Sequence, residues 1–166
     1  MSTALFYASS TGNTENVASK IVKALGEDIK SIDISSSGCD DIQNHDKLIL
    51  GISTWGEGDL QDDWEDIWAD FCDIDFNGKT VGLFGLGDQE GYGDEFVDAL
   101  GTLYEQVKNA GASIVGFTSN DGYEYEGSKA EIDGEFVGLV LDEDNQDDLT
   151  DERITQWTNS IKTSIL

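Results

Sequence analysis

Ser9-Ser10-Thr11-Gly12-Asn13-Thr14 sets four hydroxyls, a glycine and an amide between the apolar run Ala4-Leu5-Phe6-Tyr7-Ala8 and an amphipathic stretch beginning near Val17. A strand that ends in such a run and passes straight into a helix turns backbone N–H groups and the helix dipole toward an anion, which makes a phosphate socket. No lysine or arginine lies in the run, so the phosphate would be held by neutral donors. Two further glycine-bearing loops each carry one aromatic: Ser53-Thr54-Trp55-Gly56-Glu57-Gly58-Asp59 and Gly87-Asp88-Gln89-Glu90-Gly91-Tyr92-Gly93. Aromatic faces stack on a conjugated ring, and glycine permits close backbone approach. A flat ring between Trp55 and Tyr92, with its phosphate in the socket, satisfies all three loops. Either aromatic alone would read as the cap of a hydrophobic edge; their shared setting favours a ligand.

Other phosphate chemistry fits less well. A Walker A loop needs a lysine after its second glycine, where Asn13 stands, which argues against a nucleoside triphosphatase. Gly85-Leu86-Gly87-Asp88-Gln89-Glu90 begins like a dinucleotide fingerprint but has glutamate in place of the third glycine. A phospho-accepting receiver would need acidic residues at the end of its first strand, where Ala8-Ser9-Ser10 stands.

The elements that must position these loops are legible as periodicity. Apolar runs of strand length occupy 3–8, 29–34, 47–53, 79–86, 113–117 and 136–141, with helical patterns between them at 13–25, 62–72, 94–110 and 151–165. Thr150-Asp151-Glu152 reads as a cap signal for the last helix. This alternation predicts an α/β chain with a parallel sheet covered on both faces, in which ligands bind beyond the carboxyl ends of the strands. Segment 118–136 is polar and glycine-bearing and reads as an insertion interrupting the last strand, either a surface loop or a flap facing a partner or cofactor. Residues 142–151 are acidic but lack the central glycine of an EF-hand, and a solvated loop is expected.

The chain of 166 residues suits one domain, 1–166, with no Pro/Gly/Ser-rich linker, apolar span of membrane length or signal-peptide pattern, so a soluble cytoplasmic protein is expected. Its 35 acidic against 9 basic residues give a formal charge of −26. Such a field repels nucleic acid and anionic lipid and selects basic partners, although solubility or salt adaptation would also account for it. Cys39 and Cys72 lack metal or redox spacing and are expected to be reduced thiols, Cys72 on the buried side of its helix. His45, the one histidine, is expected at the surface.

These motifs together resemble the flavodoxin family in its long-chain form, over nearly the whole chain: the 9–14 loop, Thr54-Trp55-Gly56, Gly87-Asp88-Gln89 with Tyr92, and Asp142-Glu143-Asp144-Asn145-Gln146. The resemblance implies a flavodoxin-like three-layer sandwich, with a five-stranded parallel sheet of order 2-1-3-4-5 and an insertion interrupting the last strand. It implies bound FMN, with Ser9, Ser10, Thr11, Gly12, Asn13 and Thr14 on the phosphate and Trp55 and Tyr92 flanking the isoalloxazine. Thr54, Gly56, Glu57, Gly87 and Asp88 would line the ring and Asp144 would meet the ribityl chain. Glycine at 56 would let the following peptide rotate, favouring a stable neutral semiquinone.

The function so implied is a low-potential one-electron carrier, cycling between semiquinone and hydroquinone, rather than an enzyme. It would be a monomer that docks on basic redox proteins such as ferredoxin-NADP reductase. The alternative on the same fold is an FMN-dependent quinone or azo reductase, which needs open space over the flavin. Serine stands at positions 9 and 53, where the family commonly has threonine and proline, and Glu95 stands where asparagine is common.

Overall fold

In β1 (Thr3–Tyr7) every side chain is buried, because the strand lies between two helical layers and both of its faces are covered. The computed structural model describes residues 3–8, 12–26, 29–37, 39–55 and 59–166. β1 passes to α1 (Asn13–Leu25), then to β2 (Lys30–Asp33), the short α2 (Ile34–Ser37), β3 (Lys47–Trp55) and β4 (Asp59–Leu60). There follow α3 (Asp62–Phe71), β5 (Thr80–Leu86), α4 (Asp98–Asn109), β6 (Ser113–Val115), β7 (Thr118–Ser119), β8 (Glu131–Ile132), β9 (Glu135–Phe136), β10 (Leu139–Leu141) and α5 (Thr150–Ile165).

The parallel pairs run β2-β1-β3-β5, and the last position of the sheet is shared by two pieces. β6 pairs with the first half of β5, Thr80 opposite Ser113, and β10 with the second half, Leu139 opposite Phe84. The order expected from the sequence, 2-1-3-4-5, therefore holds with its fifth strand interrupted. The intervening segment is more than a polar loop: β7, β9 and β8 make a small antiparallel sheet of their own. Its inner face is aromatic, with the Tyr123 and Phe136 rings 5.0 Å apart edge to face and Phe96 against both. Burial pushes the Tyr123 phenol up to about 12, partly opposed by the Arg153 guanidinium over its ring.

Strand alternation divides the core. Ala4, Phe6, Leu48, Leu50 and Leu83 face one side, packing with Trp64 and Phe71 of α3 and Leu100 and Leu103 of α4. Leu5, Ile49, Phe84 and Leu141 face the other, with Val17 and Ile21 of α1 and Ile154, Trp157 and Ile161 of α5. Each fully buried aliphatic side chain contributes about 1.5–3 kcal/mol. No helix among the described residues is long and apolar enough to cross a membrane.

Four local expectations change. Cys72 is exposed at the end of α3, because the inward stripe of that helix is set by Trp64 and Phe71 and the next position turns outward. Position 150 does not cap α5: the Thr150 hydroxyl donates to Glu143 Oε1 at 2.8 Å, and the residue before the helix is Leu149. The helix expected from 94 begins at Asp98, behind a 3₁₀ turn over Gly93–Glu95. His45 is half-buried, its ring edge-on to Phe6 at 6.1 Å.

Candidate functional site

The start of α1 and the carboxyl ends of β3, β5 and β10 open into one cleft of about 280 Å³. Asn13 and Thr14 line it from the start of α1, Ser53 and Thr54 from the end of β3, Leu86, Gly87, Asp88 and Tyr92 from β5 and its loop, and Glu143 and Asp144 from the turn after β10. Seven residues singled out in the sequence thus meet at one place: Asn13, Thr14, Thr54, Gly87, Asp88, Tyr92 and Asp144. Ser9, Ser10, Thr11, Gly56 and Glu57 lie outside the described residues, as does the side chain of Trp55. Glu95 is not among the residues lining the cleft.

Gly12 enters α1 at φ 91°, a left-handed backbone that a side chain would strain. The first bond of the helix runs from Asn16 N–H to Gly12 O at 3.0 Å, so the amides of residues 13–15 precede the helical ladder and carry its positive end. Thr14 is buried beside them. Among the described residues no cation lines the cleft, and the charged ones that do are Asp88, Glu143 and Asp144.

β3 extends two residues beyond its expected end, because Thr54 and Trp55 pair with Leu60 and Asp59 of β4 in an antiparallel clasp. This fixes the Trp55 backbone at the edge of the sheet. Gly87 has little freedom to be anything else: a Cβ there would lie 2.9 Å from Val97 Cγ1 and 3.1 Å from the Val97 amide nitrogen. The loop that follows is closed by Tyr92 N–H on Asp88 O at 2.9 Å, which leaves the Tyr92 ring 48% exposed at the rim.

The acidic turn after β10 is solvated at Asp144, Asp147 and Asp148 but not at its first residue. Asp142 is fully buried, and its carboxylate accepts from the backbone N–H groups of Gln89, Asp144 and Asn145 and from the side-chain amides of Gln89 and Asn145. A buried carboxylate needs this many donors to offset desolvation. Asn145 Nδ2 also donates to Asp88 Oδ1 at 2.8 Å. Burial acts to raise the Asp88 carboxyl, but hydrogen bonds from Gly91 N–H, Asn145 and Glu90 N–H outweigh it and hold the group below its ordinary value. Asp144 is shifted the other way, raised by burial and then by the charges of Asp88 and Asp142.

A cleft over the strand ends, a helix start without cations and a rim aromatic suit a phosphorylated, flat-ringed ligand. The chain matches the model of the flavodoxin family over residues 5–157. The chain belongs to the flavodoxin family. It is 48% identical over 159 residues to a flavodoxin of Nostoc sp., covering 95% of this chain and 94% of the relative. It is likewise 48% identical over 161 residues to flavodoxin 1 of Escherichia coli, covering 96% and 92%. Among solved structures, Fusobacterium nucleatum flavodoxin bound to flavin mononucleotide superposes with a TM-score of 0.94 at 38% identity, covering 100% of both chains. Oxidised flavodoxin 1 of Bacillus cereus superposes at 0.76 with 27% identity, covering 99% of each.

Within this flavodoxin fold, Ser53, Leu86 and Glu143 line the cleft although none was named as a site residue, and Gln89, Asp142 and Asn145 hold its walls. All six stand in the sequence motifs, the last three at Gly87-Asp88-Gln89 and Asp142 to Gln146. Their role shows only when two loops remote in sequence meet.

Proposed function

We propose that this flavodoxin binds FMN non-covalently in the cleft and serves as a low-potential one-electron carrier. The observation that carries the reading is the convergence of the α1 start, the β3 end and the Asp88–Tyr92 loop on one cleft, in a chain of the flavodoxin family. When bound, FMN supplies the redox chemistry, accepting and donating electrons one at a time. The chain supplies binding, orientation and charge. Residues 9–14 would hold the phosphate through backbone amides and hydroxyls at the positive end of α1. Trp55 and Tyr92 would flank the ring, with Thr54, Gly56, Glu57, Gly87 and Asp88 along its edges. Asp144 would face the ribityl chain. The whole chain would act as one cytoplasmic domain, monomeric, docking through its acidic surface onto basic redox proteins such as ferredoxin-NADP reductase.

The donor set fits the group. A phosphate needs N–H and O–H donors at a helix start, which Asn13 and Thr14 offer, and the acidic residues of the cleft line its other wall. Two measurements test the reading: titration of the apo-protein with FMN, followed by quenching of flavin fluorescence, then anaerobic photoreduction of the complex. Tight one-to-one binding and a blue half-reduced flavin are expected. Direct two-electron bleaching, or no binding, would overturn the carrier.

A further inference from the structure

Gln89 is 6% exposed and lies one residue beyond the cleft wall at Asp88, yet it does not line the cleft itself. Its backbone N–H and both polar atoms of its side-chain amide are engaged. Its backbone N–H donates to Asp142 Oδ2 at 3.1 Å and its Nε2 to the same oxygen at 2.8 Å, while its Oε1 accepts from the backbone N–H of Glu124 at 2.6 Å. Asp142 in turn receives Asn145, whose amide reaches Asp88. One buried side chain therefore joins three segments: the loop after β5, the turn after β10 and the insertion between β6 and β10. A second tie, from Gln146 Nε2 to Gly122 O at 2.8 Å, binds the same turn to the same stretch of the insertion.

We propose that Gln89 is a positioning residue for the flavin site, through which the insertion holds the Asp88 loop and the Asp144 turn against each other. The proposal rests on the FMN reading above. Of the uncharged side chains this long, glutamine alone donates to a carboxylate while accepting from a backbone N–H. Methionine fills the same space and does neither; glutamate would set a second carboxylate against Asp142. Removing the amide takes one donor from the buried Asp142 carboxylate and the acceptor from the Glu124 N–H, so the insertion loses this tie to the two walls, which the Gln89 backbone N–H and Asn145 still join to each other.

Gln89→Met tests the joint itself, and Glu124→Pro, at an exposed position outside any regular element, removes the donor from the insertion, its added restriction of φ at 124 and of the Tyr123 backbone being checked by the exchange map. Both apo-proteins and the unaltered chain are titrated with FMN, their amide hydrogen exchange is mapped, and the potentials of the loaded proteins are measured. Gln89→Met is expected to weaken FMN about tenfold, to shift the potentials and to lose exchange protection at 88–92 and 142–146, with Glu124→Pro weakening binding about threefold. Unchanged affinity and potentials in Gln89→Met, even with a lowered melting temperature, would overturn the proposal by making the residue structural only. An effect in Gln89→Met and none in Glu124→Pro would remove the insertion from the link. Failure of the unaltered chain to bind FMN would overturn the FMN reading instead, and the exchange map would still decide whether Gln89 anchors the two loops. If Gln89→Met does not fold, Glu124→Pro carries the test.

Discussion

Thr54 Oγ1 accepts the backbone N–H of Ala99 at 3.0 Å, so a hydroxyl at the end of β3 caps the helix that starts after the Tyr92 loop. The helix needs it. Its own N-cap is Val97, which has no polar side chain and sits at φ 49°, a conformation unusual for a branched residue. Thr54 thus joins two of the three loops around the cleft, and its position in the cleft wall follows from that bond.

Thr54→Val keeps the shape and removes the acceptor. A lost cap costs about 1 kcal/mol, and for a chain of this size that lowers the melting temperature by about 2–4 °C. Thr54→Ser should restore it. Thermal melts of the apo-protein, followed by circular dichroism, decide the matter. Equal stability of Thr54→Val and the unaltered chain would mean that the hydroxyl serves the ligand alone.

The carboxylates of Asp88, Asp142 and Asp144 can bring oxygens within 4.8 Å of one another, and the pH effects of Asp88 and Asp144 have opposite signs. Asp144 is raised on folding, so the folded chain holds that proton more tightly. Its contribution is full below the ordinary aspartate value of about 3.9 and is lost as pH rises through the folded value. Asp88 is lowered, so its contribution is present above about 3.9 and is lost as pH falls through the folded value. Asp144→Asn should therefore raise the melting temperature at neutral pH, with the gain vanishing in acid, whereas Asp88→Asn should lower it at neutral pH. Melts of the apo-proteins from neutral to acid pH check both signs; a gain from Asp144→Asn that persists in acid would contradict the charge assignment.

How far the sequence foretold this arrangement depends on whether an interaction is local. α1 spans 13–25 as its apolar spacing predicts, because Val17, Ile21 and Leu25 recur on one helical face. β3 ran past its expected end because pairing with β4 extended it, and no periodicity within 47–53 encodes a partner at 59–60. The insertion read as polar because its glycines and acids outnumber its aromatics, yet Tyr123, Tyr125 and Phe136 pack it on Phe96. Asp142 stood in an acidic run indistinguishable by composition from a solvated loop. Only its five donors, two from a loop more than fifty residues away, identify it as a core residue.

Asn13 lines the cleft, in the 9–14 run proposed to hold the phosphate, which contains no cation, within a chain of charge −26. In the proposed FMN complex, a second electron would put a negative charge on the flavin, which the nearby carboxylates and a phosphate held without a cation would oppose. One exposed unit charge about 12 Å away contributes about 0.3 kcal/mol, or about 15 mV for one electron, before screening. A single carboxylate is minor; many of the same sign are not. The second potential should therefore lie well below that of free FMN and rise with added salt, as the Debye length shrinks from about 10 Å at 0.1 M to about 3 Å at 1 M. Asn13→Lys should raise it by an increment of about 15 mV or somewhat more, since the added positive charge would stand at the proposed phosphate position, across the cleft from the acidic turn. That increment should itself shrink as salt is added. Potentiometric titration of both proteins at low and high salt measures all three quantities, and a second potential indifferent to salt and to Asn13→Lys would leave the low potential to ring contacts rather than to charge.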